Sequence, residues 1–108
     1  MAAKPFVRVV IKGDQYCLIA RNGSVELKRE IGSSGTALTG QARHLATLDC
    51  ALSKIRPTWC GRPTNVIITV RDRNVMSILR GQMKARKLAD LLADVRAREA
   101  KLVVRYED

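Results

Sequence analysis

The chain has 108 residues, of which 46% are apolar and 28% charged, a size and balance that suit one modest core and exclude a disordered chain. Twenty Lys and Arg stand against ten Asp and Glu, and the resulting net charge of +10 favours a polyanionic partner such as nucleic acid, an acidic protein or an anionic surface. No apolar run approaches the roughly 18 residues that a membrane-spanning helix needs, so no membrane partner is expected.

In chain order, "FVRVVIKG" (Phe6 to Gly13) is rich in β-branched residues and predicts a strand. "QYCLIARNGSVELKREI" predicts a hairpin, with Asn22-Gly23 supplying the two positive-φ positions of a type I′ turn. In its second arm strict alternation puts Val25, Leu27 and Ile31 on one face, expected in the core. Glu26, Lys28 and Glu30 fall on the wet face. "GSSGTALTG" is a flexible connector.

A helix follows from about Gln41 to Ile55, because Leu45, Leu48, Leu52 and Ile55 form a single apolar stripe. The prolines and glycine of "RPTWCGRPT" break it. "NVIITV" (Asn65 to Val70) is apolar without alternation, as suits a strand buried on both faces. A short helix to Leu79 begins at the charged corner Arg71-Asp72-Arg73, where Asp72 and Asn74 have N-cap chemistry. After Gly81, "QMKARKLADLLADVRAREA" carries the longest helical pattern. Leu88, Leu91, Leu92 and Val95 face inward; Lys84, Arg86, Lys87, Arg96 and Arg98 lie mostly outside. "KLVVRYE" is the last strand.

The order β-β-β-α-β-α-β, in a mixed α/β (α+β) sheet with helices packed on it, resembles the ribonuclease H-like fold. The resemblance extends from Phe6 to Tyr106, and the reading is one such domain over residues 1-108. It rests on element order, lengths and local pattern rather than on an invariant motif. In that family the first strand ends in Asp-Gly; here the matching pair is Lys12-Gly13. The family's first helix opens with a Glu, matched by His44, and its fourth strand ends in a second Asp, matched by Arg71. Acids stand nearby at Asp14, Asp49 and Asp72, but a one-residue slip on a strand reverses a side chain's direction.

The resemblance implies a two-metal nuclease only where carboxylates cluster, because hard divalent ions take oxygen ligands. Lys12, His44 and Arg71 would repel a cation and attract phosphate. The expectation is therefore a non-catalytic module without metal or cofactor. It would hold nucleic acid, a duplex or hybrid, through its phosphates. Candidate binding residues are Lys12, His44, Arg71, Arg73, Lys84, Arg86, Lys87 and Trp59. Each has a plainer reading: Lys12 and the two arginines as a solvated rim, His44 as an ordinary histidine, Trp59 as the anchor of its loop rather than a base-stacking platform. Asp72 is read as a helix cap.

Rival readings are a protein-interaction module that docks an acidic partner or pairs with itself through a sheet edge, and a metal-dependent nuclease using Asp14, Asp72 and a further acid after local rearrangement. Cys17, Cys50 and Cys60 lack paired spacing, and "MAAKPFVRVV" lacks a signal-peptide core. Both features suggest reduced thiols in a cytoplasmic setting. With one His, structural zinc is not expected.

Overall fold

A computed structural model describes residues 4–61 and 63–108; the first three residues of the "MAAKPFVRVV" stretch lie outside them. Ten elements follow in order: β1 (Phe6–Lys12), β2 (Gln15–Asn22), β3 (Val25–Ser33), α1 (Gly40–Lys54), the short α2 (Pro57–Cys60), β4 (Thr64–Val70), α3 (Arg73–Leu79), a 3₁₀ turn (Arg86–Leu88), α4 (Ala89–Glu99) and β5 (Leu102–Tyr106). The strands form one sheet in the order β3-β2-β1-β4-β5. The β1–β2 and β2–β3 pairs are antiparallel, whereas β1–β4 and β4–β5 are parallel.

The β-branched runs settle as predicted. On one face Val7, Val9 and Ile11 of β1 and Val66, Ile68 and Val70 of β4 are buried, and they join Leu45, Leu48 and Leu52 of α1, Val75 and Leu79 of α3 and Val95 of α4 in one core. β4 lies between β1 and β5, which is why its sequence does not alternate: Thr69 is buried and Ile67 half-buried on the other side as well. No helix is long and apolar enough to cross a membrane, among the described residues. The "RPTWCGRPT" break contains one helical turn, with Pro57 at its first position, where the missing N–H costs nothing.

β3 differs from its expectation. Ala20 pairs with Lys28 but Arg21 pairs with Glu26, so Leu27 is an extra, bulged residue. The bulge breaks the alternation: Val25 and Ile31 now lie on opposite faces, and Val25, Leu27 and Ile31 are all exposed rather than in the core. It also brings Glu26 and Arg29 to one face, where they form an exposed ion pair at 2.7 Å. A bulged edge strand with charges between its apolar residues is poorly shaped for pairing with another strand. The hairpin turn differs too. Asn22 pairs with Val25, leaving Gly23-Ser24 as the loop. Only Gly23 has positive φ (63°), the pattern of a type II′ turn rather than I′.

The long helical pattern also starts later than its apolar spacing suggests. Gln82 to Ala85 are not helical, and Arg86 has φ 52°, the only non-glycine residue with positive φ among the described residues. A left-handed residue cannot continue a right-handed helix, so α4 begins only after it. Arg96 is not on a wet face. Its guanidinium donates to the Leu79 carbonyl at 2.6 Å, to Glu99 at 3.0 Å and to the Tyr106 hydroxyl at 3.2 Å. Arg98 pairs with Asp49 of α1 at 2.9 Å.

Candidate phosphate-binding site

The site follows from the pairing of two strands. β1 and β4 run parallel in register to Ile11↔Val70, and the Arg71 N–H extends the ladder by donating to the Ile11 carbonyl at 2.8 Å. Lys12 and Arg71 therefore leave neighbouring strands at the same end, within about 5 Å of lateral strand spacing. Both are exposed, and neither has an ion-pair partner among the described residues.

The turn after β1 is fixed by α1. Gly13 adopts φ 62°, and its N–H donates to Nε2 of His44 at 3.3 Å. An imidazole nitrogen that accepts carries no proton, so Nδ1 carries it and donates to the Gly40 carbonyl at 3.0 Å. His44 is 8% exposed and both its ring nitrogens are spent on backbone. The sequence placed it among the phosphate ligands; the structure makes it the peg that holds the Gly13 turn.

Its neighbour Arg43 was not singled out. The Arg43 guanidinium lies against Gly13, with Nη2 only 3.4 Å from where a Cβ would project. Its Nε is shut off from solvent with no hydrogen-bond partner, the only such side-chain nitrogen or oxygen among the described residues. One signal was available: Arg43 adjoins His44 in the first turns of a helix already matched to the site.

The nearby acids point elsewhere. Asp14 accepts from the Ser33 hydroxyl at 3.0 Å and, through its carbonyl, from the Ser34 N–H at 2.7 Å, tying the turn to the end of β3. Asp49 pairs with Arg98. Asp72 caps α3, accepting from the Val75 N–H at 2.9 Å, as its chemistry predicted. No group of three or more His, Cys, Asp or Glu converges among the described residues. A donor set of Lys12, His44 and Arg71 does not fit a divalent ion, which takes oxygen ligands.

The remaining candidates divide between the two ends of the sheet. Arg73 is exposed in the first turn of α3, beside Arg71. Lys84, Arg86 and Lys87 are exposed in the connection to α4. α4 descends to β5, whose Leu102 pairs with Thr64, so that connection lies toward the end where β4 finishes. Trp59 sits in α2, just before β4 begins, half-buried against the core. β4 is seven residues long, which separates Trp59 from Arg71 by about 20 Å along the sheet. Trp59 is thus the anchor of its loop.

No family model matches the sequence, and no curated protein matches it. Solved structures do. An N-terminal RNase H domain from Mycobacterium tuberculosis, determined as a fusion with maltose-binding protein, superposes with a TM-score of 0.61 at 17% identity, covering 94% of this chain and 82% of that one. RNase H1 from the halophilic archaeon Halobacterium salinarum gives 0.63 at 13% identity, covering 94% and 84%. At such identities the likeness is one of backbone architecture, and with the strand order, pairing and helix placement above it establishes that this chain has the ribonuclease H-like fold.

Proposed function

We propose that this chain is a non-catalytic nucleic-acid-binding module that holds the phosphates of a duplex or hybrid where β1, α1 and β4 meet. The observation that carries this reading is that Lys12 and Arg71, both exposed and without an ion-pair partner among the described residues, leave adjacent strands at the end of the sheet where the fold's carboxylates would stand. Arg73 extends that basic face, and Lys84, Arg86 and Lys87 offer further cations from the α4 connection. Support also comes from the net charge of +10 and from the two structural neighbours, whose names are those of RNase H proteins.

Phosphate contacts by Lys and Arg carry no base readout, so this face tolerates any sequence and depends steeply on salt. The absence of catalysis rests on chemistry: three matched positions offer two cations and a histidine with no free nitrogen. The test is fluorescence anisotropy of labelled DNA duplex, RNA–DNA hybrid and single strand over a series of NaCl concentrations, with parallel cleavage assays in Mg²⁺ and Mn²⁺. Salt-dependent binding without cleavage is expected. No binding near physiological salt would refute the reading and move attention to a protein partner; metal-dependent cleavage would refute its non-catalytic part.

A further inference from the structure

We infer that Arg43 is the principal phosphate ligand of this face, seating one phosphodiester group over the Gly13 turn together with Lys12. The inference rests on the nucleic-acid reading above and names the group that makes its closest contact.

Three observations lead to it. The first is the want of a partner. A guanidinium has five N–H donors, and a half-buried one normally spends them on a carboxylate or on carbonyls. The Arg43 side chain has no hydrogen bond and no ion pair among the described residues, and its Nε is fully shut off from solvent. Its two Nη groups also lack a partner, but unlike Nε they are open to solvent, so a ligand oxygen can reach them.

The second is pre-organisation. The guanidinium packs over Gly13, within van der Waals contact of where a Cβ would stand, and φ 62° there favours glycine. His44, the next residue on α1, holds that same Gly13 N–H. The turn is thus held from the same helical turn that carries Arg43, so the backbone under the guanidinium needs no reordering on binding.

The third is the local charge. Lys12 precedes Gly13, and Arg71 leaves the adjacent strand. The nearest acid in sequence, Asp14, is engaged by Ser33. Asp72, beside Arg71, caps α3, and neither acid forms an ion pair with Lys12, Arg43 or Arg71 among the described residues; cations left in this way suit an oxyanion, and a planar fork fits the two non-bridging oxygens of a phosphate.

The decisive variant is Arg43→Met, which keeps an apolar stem against Gly13 and removes the charge. Arg56→Met, exposed at the opposite end of the sheet, controls for net charge. We expect Arg43→Met to weaken duplex or hybrid binding about tenfold or more at 0.1 M salt and to flatten the salt slope by about one unit, with Tm unchanged or raised. Arg56→Met should stay within about twofold of the parent, and Arg43→Lys should fall between, keeping charge without the fork.

A second arm follows the Gly13 amide by NMR during titration with inorganic phosphate. It should shift in the parent and not in Arg43→Met. A phosphate response with no binding of any nucleic acid would keep the site and assign it to free phosphate, while the nucleic-acid reading fell. Arg43→Met binding nucleic acid within twofold of the parent would overturn the inference and leave that reading intact. A marked fall in Tm for Arg43→Met would assign Arg43 a structural role and also overturn it.

Discussion

The backbone N–H of Gly13 donates to Nε2 of His44, joining the first β-turn to the first turns of α1 across the base of the basic face. The bond settles the tautomer: the ring is neutral, with its proton on Nδ1, and the Gly40 carbonyl receives it. Imidazole ¹⁵N shifts at neutral pH should report the Nδ1–H form, and observation of the Nε2–H form would contradict the geometry. Replacing His44 by Ala strands the Gly13 N–H and leaves a space where the buried ring stood. A loss of about 2–4 kcal/mol in unfolding free energy is expected from chemical denaturation.

Arg71 and Arg73 can be tested as a pair against two cations at the other end of the sheet. Arg56 and Lys101 are exposed there, before α2 and in the turn into β5. Arg71→Ala with Arg73→Ala should weaken binding for all sequences alike and flatten the salt dependence by about one to two units on duplex DNA. Arg56→Ala with Lys101→Ala removes the same charge and should change the slope much less. Equal losses from the two pairs would indicate a diffuse field rather than a localised face. Arg96 and Arg98 are unsuitable for this comparison because both are held in ion pairs.

Asp72 supplies a direct check on the role of the one acid at this corner. Its carboxylate caps α3 through the Val75 N–H. Asp72→Ala should lower stability by about 1 kcal/mol, whereas Asp72→Asn, an equally good cap, should cost only a few tenths. Neither change should create or abolish metal-dependent cleavage. Activity in the parent that disappeared in Asp72→Asn would mean that this carboxylate reaches a metal and that the match of Arg71 to the family's acid is out by one.

Much of this architecture was legible because it depends on local pattern. The β-branched runs of β1 and β4 and the leucine stripe of α1 name their own periods, and element order then suggests the sheet. What escaped was set by single residues acting across the chain. One bulged residue, Leu27, reverses the faces of β3, and nothing in "VELKREI" announces it. Arg86 adopts a left-handed conformation inside an apparently helical run. A fold-level match paired Lys12 with Arg71, and the strand pairing does set them side by side, whereas the packing of Arg43 on the Gly13 turn is a contact invisible along the sequence. Both nitrogens of His44 are spent on backbone, which periodicity cannot show. Arg96 was misassigned for a related reason: an amphipathic pattern sends arginine outward, and only the placement of the Leu79 carbonyl, Glu99 and Tyr106 draws it in.

That last cluster gives the fold a pH dependence with a definite sign. The Tyr106 hydroxyl donates to Glu99, and Arg96 contacts both. Burial pushes the Tyr106 phenol well above its ordinary value of 10, and the hydrogen bond to Glu99 and its negative charge add to the shift, only partly opposed by Arg96. In the unfolded chain the phenol loses its proton near pH 10, while the folded protein keeps it. Above that pH the native state binds more protons than the unfolded one, so unfolding free energy falls as pH rises; below it the stabilisation is fully present. The slope from this one group is bounded by about 1.4 kcal/mol per pH unit and should fall short of that, because the ring is partly exposed. Tyr106→Phe keeps the ring in place and removes the hydroxyl. Relative to this variant, the parent should lose stability progressively between about pH 10 and 11.5 in denaturant titrations. A constant difference between the two proteins across that window would mean that Tyr106 ionises equally in both states and that the Glu99 bond is not maintained in solution.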